Sequence, residues 1–270
     1  MFWTSWAFAY IAIGLFTGFV AGLFGIGGGT VLVPLLTMLF TAQQFPADHV
    51  LHLALGTSMA SIIFTAIASA RAHDKHGAVL WQVVLRIVPG ILLGAVLGTL
   101  LAARISSRAL AVFFAFFVLY MALQMFVSFK PKPSRELPAT AGMIAAGALI
   151  GGLSSLVAIG GGILTVPFLT WCNVRVHNAI GTSAAVGVPI AVGGSVGYIW
   201  NGMHASGLPA ASFGFIYLPA LLFVMLASIM TAPLGARLAH RMQVDLLRRL
   251  FALLLVLLAA KMLHGLFWKS

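Results

Sequence analysis

The sequence predicts an all-α membrane protein with about eight to ten membrane segments, arranged as two internal repeats. Hydrophobic residues make up 61% of the 270-residue chain and charged residues only 7%, whereas a soluble domain has about 25% charged residues. Residues 1–47 contain no Lys, Arg, Asp or Glu, and neither do residues 176–236. Each interval is long enough for more than one apolar span of about 20 residues.

A duplicated glycine motif divides the chain into the two repeats. Residues 26–34 consist of Ile-Gly-Gly-Gly, a three-residue spacer and Val-Pro, and residues 159–167 repeat this order. Gly-Thr-Ser then follows at 56–58 and at 181–183. Internal repeats of this kind are typical of transport proteins with a site between the halves. We therefore predict a first repeat at 1–129, a basic, proline-rich linker at 130–138 and a second repeat at 139–270.

Each repeat is expected to contain five helical segments, of which the second is short. A break is expected at the glycines, because each glycine costs a helix about 1 kcal/mol relative to Ala. Short segments interrupted by Gly and Pro indicate broken or re-entrant helices. The predicted helices of the first repeat are 6–24, 30–41, 50–70, 79–101 and 109–129. Those of the second repeat are 139–153, 163–172, 178–200, 211–235 and 244–266.

Glycines at four-residue spacing predict where helices pack closely, because small residues let two helix backbones approach each other. The run at 193–197 also fits the G-x-S-x-G expression of hydrolases, but it follows no predicted strand and has no plausible acidic partner. We interpret that run as a packing face. The spaced glycines are Gly14, Gly18 and Gly22 in the first helix, and Gly90, Gly94 and Gly98 in the fourth.

The cations predict that the two repeats are inverted relative to each other. With five crossings in each half, the loops after the odd-numbered helices share one side of the membrane. The opposite side has mainly Arg104, Arg108 and Lys269. Because cytoplasmic loops have an excess of Lys and Arg, both termini are expected outside. The cations of the cytoplasmic side are Arg71, Lys75, Lys130, Lys132, Arg135, Arg175, Arg237 and Arg241.

The composition also excludes several functions. The net charge of +11 does not indicate nucleic-acid binding, because the cations lie in short loops beside apolar runs, where they orient helices. Cation transport normally requires a carboxylate inside the membrane, so anions are favoured here. Neither the polar loop at 73–76 nor the lone Cys172 supplies a metal site, and no cofactor or enzymatic activity is expected. The only acids, all in or beside predicted loops, are Asp48, Asp74, Glu136 and Asp245.

The glycine breaks form the candidate binding site. Unwound backbone inside a bilayer is tolerated only where protein or a water-filled cavity satisfies its polar groups, and the free N–H groups at a helix start attract anions. Two such breaks could converge on one small anion. The alternative is that the glycines only let helices turn and approach. The candidate residues are Gly27, Gly28, Gly29, Gly160, Gly161 and Gly162.

Hydroxyl and imidazole groups at equivalent places extend this candidate site. Hydroxyls can donate to an oxyanion without burying a formal charge, and a bond to their own helix backbone is the alternative. His52 and His177 each lie four residues before the glycine of Gly-Thr-Ser. They are candidates for proton coupling, because imidazole changes charge near neutral pH, or else they are capping or interfacial residues. The hydroxyl residues are Thr57, Ser58, Thr182 and Ser183.

With this order of motifs, the chain resembles the sulfite exporter TauE/SafE family. The resemblance rests on GLFGIGGGTVLVPLL at 22–36, LALGTS at 53–58, AIGGGILTVPFL at 158–169 and AIGTS at 179–183. It implies a transporter of the bacterial inner membrane that moves sulfite, sulfonates or other small sulfur-containing organic anions outward. The second motif has Thr165 where the first has Leu32, so the two half-sites are chemically unequal.

We therefore expect a transporter that works by alternating access around a midplane site. Its expected partners are a small anionic substrate and membrane lipid, and self-association is left open. The other hypothesis is a non-transport membrane scaffold or assembly partner. A water-filled cavity lined by both glycine breaks would favour transport, and tight packing there beside a large exposed apolar groove would favour the scaffold. A membrane-embedded enzyme would need a cluster of titratable groups that the sequence does not supply.

Overall fold

The computed structural model describes residues 2–24, 28–127, 135–239 and 244–267. Within these ranges the chain forms ten α-helices and one small β-hairpin, which confirms the predicted all-α membrane class. The helices are α1 (Phe2–Phe24), α2 (Gly29–Ala42), α3 (Val50–Lys75), α4 (Trp81–Arg104), α5 (Ser107–Val127), α6 (Thr140–Leu156), α7 (Gly162–Trp171), α8 (Val176–Met203), α9 (Leu218–Ala239) and α10 (Val244–Phe267).

Helix α9 starts later than the predicted residue 211. Strands β1 (Ser212–Phe213) and β2 (Ile216–Tyr217) pair antiparallel instead, with Ser212 opposite Tyr217. Gly214 turns the chain between them with a φ of 57°, a left-handed conformation that glycine adopts at little cost. The hairpin therefore delays the helix by about two turns.

Among the described residues, α1, α3, α4, α5, α8 and α9 are long and apolar enough to cross a bilayer. Helices α2 and α7 are apolar but have only 14 and 10 residues. At 1.5 Å per residue they extend about 21 Å and 15 Å, less than the roughly 30 Å of a hydrocarbon core. They are the short helices predicted after each glycine break.

Each short helix folds back along the helix before it. Gln43, just after α2, donates from Nε2 to the hydroxyl of Tyr10 in α1 at 2.6 Å. The backbone N–H of Arg135, before α6, donates to the carbonyl of Trp171 at the end of α7 at 3.3 Å. We call α1–α2 the first hairpin and α6–α7 the second hairpin, and each has its glycine break at the tip.

The two hairpins enter the protein from opposite ends. Helix α3 begins beside the base of the first hairpin and α8 beside the base of the second. At one end, His49 Nε2 lies 3.2 Å from the Ser206 carbonyl, just after α8. At the other, the Asn178 amide donates at 3.3 Å to the Ala78 carbonyl, just after α3. Helices α3 and α8 are therefore antiparallel, and the bases of the hairpins lie at opposite ends.

The spaced glycines pack as predicted. A Cβ placed on Gly14 would lie 2.8 Å from the Val224 carbonyl oxygen of α9, and Gly18 and Gly22 continue the same contact. A Cβ placed on Gly90 or Gly94 of α4 would lie closer still, and would overlap backbone carbonyl oxygens of α6. The first helix of each hairpin therefore packs on a helix from the other half of the chain. The 193–197 run is also a packing face, since Gly197 contacts Thr99.

Candidate functional site

The tips of the two hairpins meet in the protein interior. Residues 28–34 of the first tip and 156–161 of the second are buried. A Cβ placed on Gly29 would overlap the carbonyl oxygen of Ala158 and would lie 2.8 Å from Ile62 Cδ1 of α3. The structure therefore brings together Gly28 and Gly29 with the segment that ends at Gly160 and Gly161. Gly27 lies outside the described residues.

Both tips present a helix N-terminus without a side-chain cap. The Gly28 carbonyl accepts the N–H groups of Val31 at 3.1 Å and Leu32 at 2.9 Å, and the Gly161 carbonyl accepts that of Thr165 at 2.9 Å. The first N–H groups of a helix have no partner within the helix. Each tip is therefore a place where backbone donors can meet an anion.

Four hydroxyl groups around the tips are buried and have no hydrogen-bond partner among the residues that the structure describes. Leaving a polar group buried without a partner costs about 1–3 kcal/mol, so these hydroxyls require an explanation. A Cβ placed on Gly161 would lie 3.3 Å from one of them, Thr165 Oγ1. The four are Thr30 in the first turn of α2, Ser58 in α3 one turn before Ile62, Ser154 in the last turn of α6, and Thr165 in α7.

The Gly-Thr part of each Gly-Thr-Ser motif holds the chain that leads into a helix of the other half. Thr57 Oγ1 accepts the N–H of Tyr217 at 3.0 Å, just before α9. Thr182 Oγ1 accepts the N–H of Leu80 at 3.0 Å, just before α4. Each preceding glycine packs on a backbone carbonyl, Gly56 on that of Phe215 and Gly181 on that of Ala78. We call these two contacts the threonine clamps.

The threonine clamps were not foreseen, because they join residues more than 100 positions apart. A role of Thr57 and Thr182 as substrate donors stays a prediction. The serines differ from each other. Ser183 donates to the Ile180 carbonyl of its own helix at 3.0 Å, the alternative to substrate binding, whereas Ser58 has no partner among the described residues.

The two candidate histidines lie at opposite ends of the protein. His52, which is 4% exposed, lies with Nε2 2.9 Å from the Ala102 carbonyl, and its Nδ1 has no partner in the described part of the chain. His177 is exposed near the start of α8. The structure does not bring them together, and their part in proton coupling stays a prediction.

A cavity of about 420 Å³ lies at the base of the first hairpin, not at the tips. Four aromatic rings contact one another here, with centroids of contacting pairs 5.0–6.4 Å apart, and three of them line the cavity. The tips themselves are tightly packed, which is one of the two features expected of a scaffold, the other being a large exposed apolar groove. We call the four rings the aromatic cluster: Tyr10, Phe40, Phe45 and Tyr217.

Titratable side chains offer little chemistry in the part of the chain that the structure describes. No group of three or more His, Cys, Asp or Glu residues there could hold a metal ion. The groups at the tips are backbone amides and hydroxyls, which bind anions by donating hydrogen bonds.

The helices, the two hairpins and the glycine packing define a multi-pass α-helical membrane protein. The family model of the sulfite exporter TauE/SafE family matches residues 10–262, so the chain belongs to this family. It is 38% identical to a "Probable membrane transporter protein" of Haemophilus influenzae, over 93% of this chain and 96% of the relative. A relative with the same description in Methanocaldococcus jannaschii is 27% identical, over 94% of each chain.

A probable membrane transporter of Bacillus subtilis is 26% identical over 68% of this chain and 76% of its own. No solved structure matches. The family and the names of these relatives support membrane transport as the general role of the chain.

Proposed function

We propose that this protein transports small anions by alternating access, at a site between the two hairpin tips. The proposed substrates are sulfite, sulfonates or related sulfur-containing organic anions, in keeping with the family. The single observation that carries the proposal is the set of buried hydroxyls without partners beside two uncapped helix starts. An oxyanion would supply the acceptors that these donors lack.

The chemistry of the tips suits an anion better than a cation. Each helix start has a partial positive charge of about half a unit, and an amide or hydroxyl can replace water around an oxyanion. Hydrogen bonds to charged groups contribute about 1.5–3 kcal/mol each. Because the donors are neutral, the empty site does not bury a formal charge, which would be costly in a membrane.

Entry of the hairpins from opposite ends supports the proposed alternating access. In this conformation Gly29 packs directly on Ala158, so the substrate reaches the tips only when the hairpins separate. We propose that the halves are inverted repeats, residues 1–129 and 139–270 with the linker between them. Tilting of one hairpin would then open the site to one side and tilting of the other to the opposite side.

The same proposal gives the protein its orientation. The base of the second hairpin lies at the end with Arg71, Lys75, Arg135 and Arg175, which we assign to the cytoplasm of a bacterial inner membrane because cytoplasmic loops are rich in Lys and Arg. The base of the first hairpin then faces outward. Membrane lipid and a small anion are its proposed partners.

Transport by purified protein in liposomes tests the proposal. We expect uptake of labelled sulfite or of a small sulfonate to exceed that of chloride and of empty liposomes. In Thr30→Val with Thr165→Val, two unpartnered donors are lost with little change of shape. Flux at low substrate should fall at least about tenfold, since even one such bond to an anion corresponds to that factor.

The same two helices offer a matched control. The hydroxyls of Thr37 and Thr170 bond to carbonyls of their own helices at 2.8 and 2.9 Å. Thr37→Val with Thr170→Val should therefore leave flux close to that of the wild type. Equal flux in both double variants would show that the tip hydroxyls do not bind the substrate. Failure of the wild type to transport sulfite, the sulfonate or chloride would favour the scaffold hypothesis.

A further inference from the structure

The cavity at the base of the first hairpin has a chemistry unlike that of the tips. Its wall includes five aromatic side chains, and none of the described residues that line it is acidic or basic. A volume near 420 Å³ is within the usual range for a small-molecule site. The aromatic residues are Trp6, Tyr10, Phe45, Tyr217 and Phe223.

Polar groups lie on only part of this wall. Gln43 donates to the Tyr10 hydroxyl at 2.6 Å, which leaves the proton of that hydroxyl available to a ligand. Burial raises the pKa of the Tyr217 hydroxyl, so this phenol stays uncharged. A bare oxyanion gains little from such a wall, because aromatic rings present a negative face. A flat apolar group, in contrast, can stack on the rings.

The cavity is separate from the tips. It lies at the level of Tyr10 and Gln43, and 14 residues of α2 separate Gln43 from the tip, a distance of about 21 Å. Three rings of the aromatic cluster line the cavity, and the fourth, Phe40, lies in α2 between Gln43 and the tip. Tyr217, however, connects the two regions, because its ring lines the cavity and its N–H donates to Thr57 in a threonine clamp.

We propose that this cavity is a second binding site, which holds organic anions with a compact apolar body by stacking on its aromatic rings. The negative charge of the ligand rests on the proposed function, whereas the apolar body follows from the cavity alone. At the outward end of the protein, such a site would favour carbon-bearing anions over inorganic ones before or after passage between the tips.

Titration calorimetry on the purified full-length protein tests this site with benzenesulfonate and sulfite as probes. Benzenesulfonate should bind at least about tenfold more tightly in the wild type than in Trp6→Ala with Phe223→Ala, because two stacking surfaces are lost. Phe223→Leu, which keeps the volume and removes the ring, should give a smaller loss. Phe8→Ala is the matched control, because Phe8 lies on the same helix and is 78% exposed.

Several results would overturn the proposal. One is unchanged benzenesulfonate affinity in Trp6→Ala with Phe223→Ala, and another is an equal loss in Phe8→Ala. Tighter binding of tetramethylammonium would indicate a cation site, and affinity that rises steadily from propyl to dodecyl sulfate would indicate a groove for lipid tails. Thr30→Val with Thr165→Val should weaken the binding of sulfite, whereas Trp6→Ala with Phe223→Ala should leave sulfite binding unchanged, so failure of the tip site and failure of this site are distinguishable.

Discussion

The Ile-Gly-Gly-Gly motif lies at the tip of both hairpins, but the backbone of its described residues differs between them. Gly28 is left-handed, with a φ of 74°, whereas Gly161 has a helical φ of −42°. In the second tip the left-handed residue is Ala158, with a φ of 46°, which costs a residue with a Cβ more than it costs glycine. The motif therefore specifies a helix start with little side-chain bulk, and the packing between the tips determines the local conformation.

The bases of the hairpins differ as well. The first base has the aromatic cluster and the uncharged cavity. At the second base, the guanidinium of Arg135 lies 5.0 Å from the centroid of the Trp171 ring, and Arg175 is exposed. On the proposed path between the tips, a substrate would therefore meet aromatic rings at the first base and the cations Arg135 and Arg175 at the second. The two ends of the proposed path differ although the two halves share one sequence pattern.

The largest expected effect tests the difference between the tips. In Gly29→Ala the new Cβ overlaps the Ala158 backbone, so the tips must separate, whereas in Gly161→Ala it lies 3.0 Å from the Ser183 carbonyl oxygen and a small shift suffices. Overpacking costs about 1–3 kcal/mol, and we expect Gly29→Ala at the top of this range and Gly161→Ala near the bottom. Thermal unfolding of the two purified variants in one detergent measures the difference, and equal losses would contradict the asymmetry.

The next effect concerns the threonine clamps, which both halves possess. Thr57→Val removes the acceptor of the buried Tyr217 N–H and should cost about 1–3 kcal/mol of stability. Thr182→Val should cost less, because the hydrogen bond between Thr182 and Leu80 is only partly buried. Thr57→Ser and Thr182→Ser keep the hydroxyl and should restore most of the unfolding temperature. If the valine variants unfold at the same temperature as the wild type, the threonine clamps do not contribute to stability.

The helices could be predicted to within a few residues, because apolar runs and glycine spacing are local properties. The four-residue spacing of Gly14, Gly18 and Gly22 was enough to predict close packing. The start of α9 could not be predicted in this way, since the β-hairpin before it is held by Thr57, a residue of α3.

The candidate site was predicted only in part. The glycine motif located the tips, and its duplication suggested that they converge. Thr30 and Ser154 were missed, because nothing in an apolar run distinguishes a hydroxyl bonded to its own helix from one without a partner. Thr165 differed visibly from Leu32, but its orphan hydroxyl appears only once the tips are packed.

The smallest expected effect separates the two histidines. His52 is buried and bonded to Ala102 near the Phe215 ring, so Gln can replace its donor but cannot take up a proton. His177 is exposed to solvent, where Gln is nearly equivalent. We expect His52→Gln to flatten the pH dependence of flux, with only a small change at neutral pH, and His177→Gln to leave the profile unchanged. Flux measured from pH 5 to 8 in liposomes decides between them, as imidazole titrates in this range. If the pH profiles of flux are the same for the wild type and both variants, neither histidine couples protons to transport. If only His177→Gln changes the profile, proton coupling involves His177, at the end of the protein with Arg135 and Arg175.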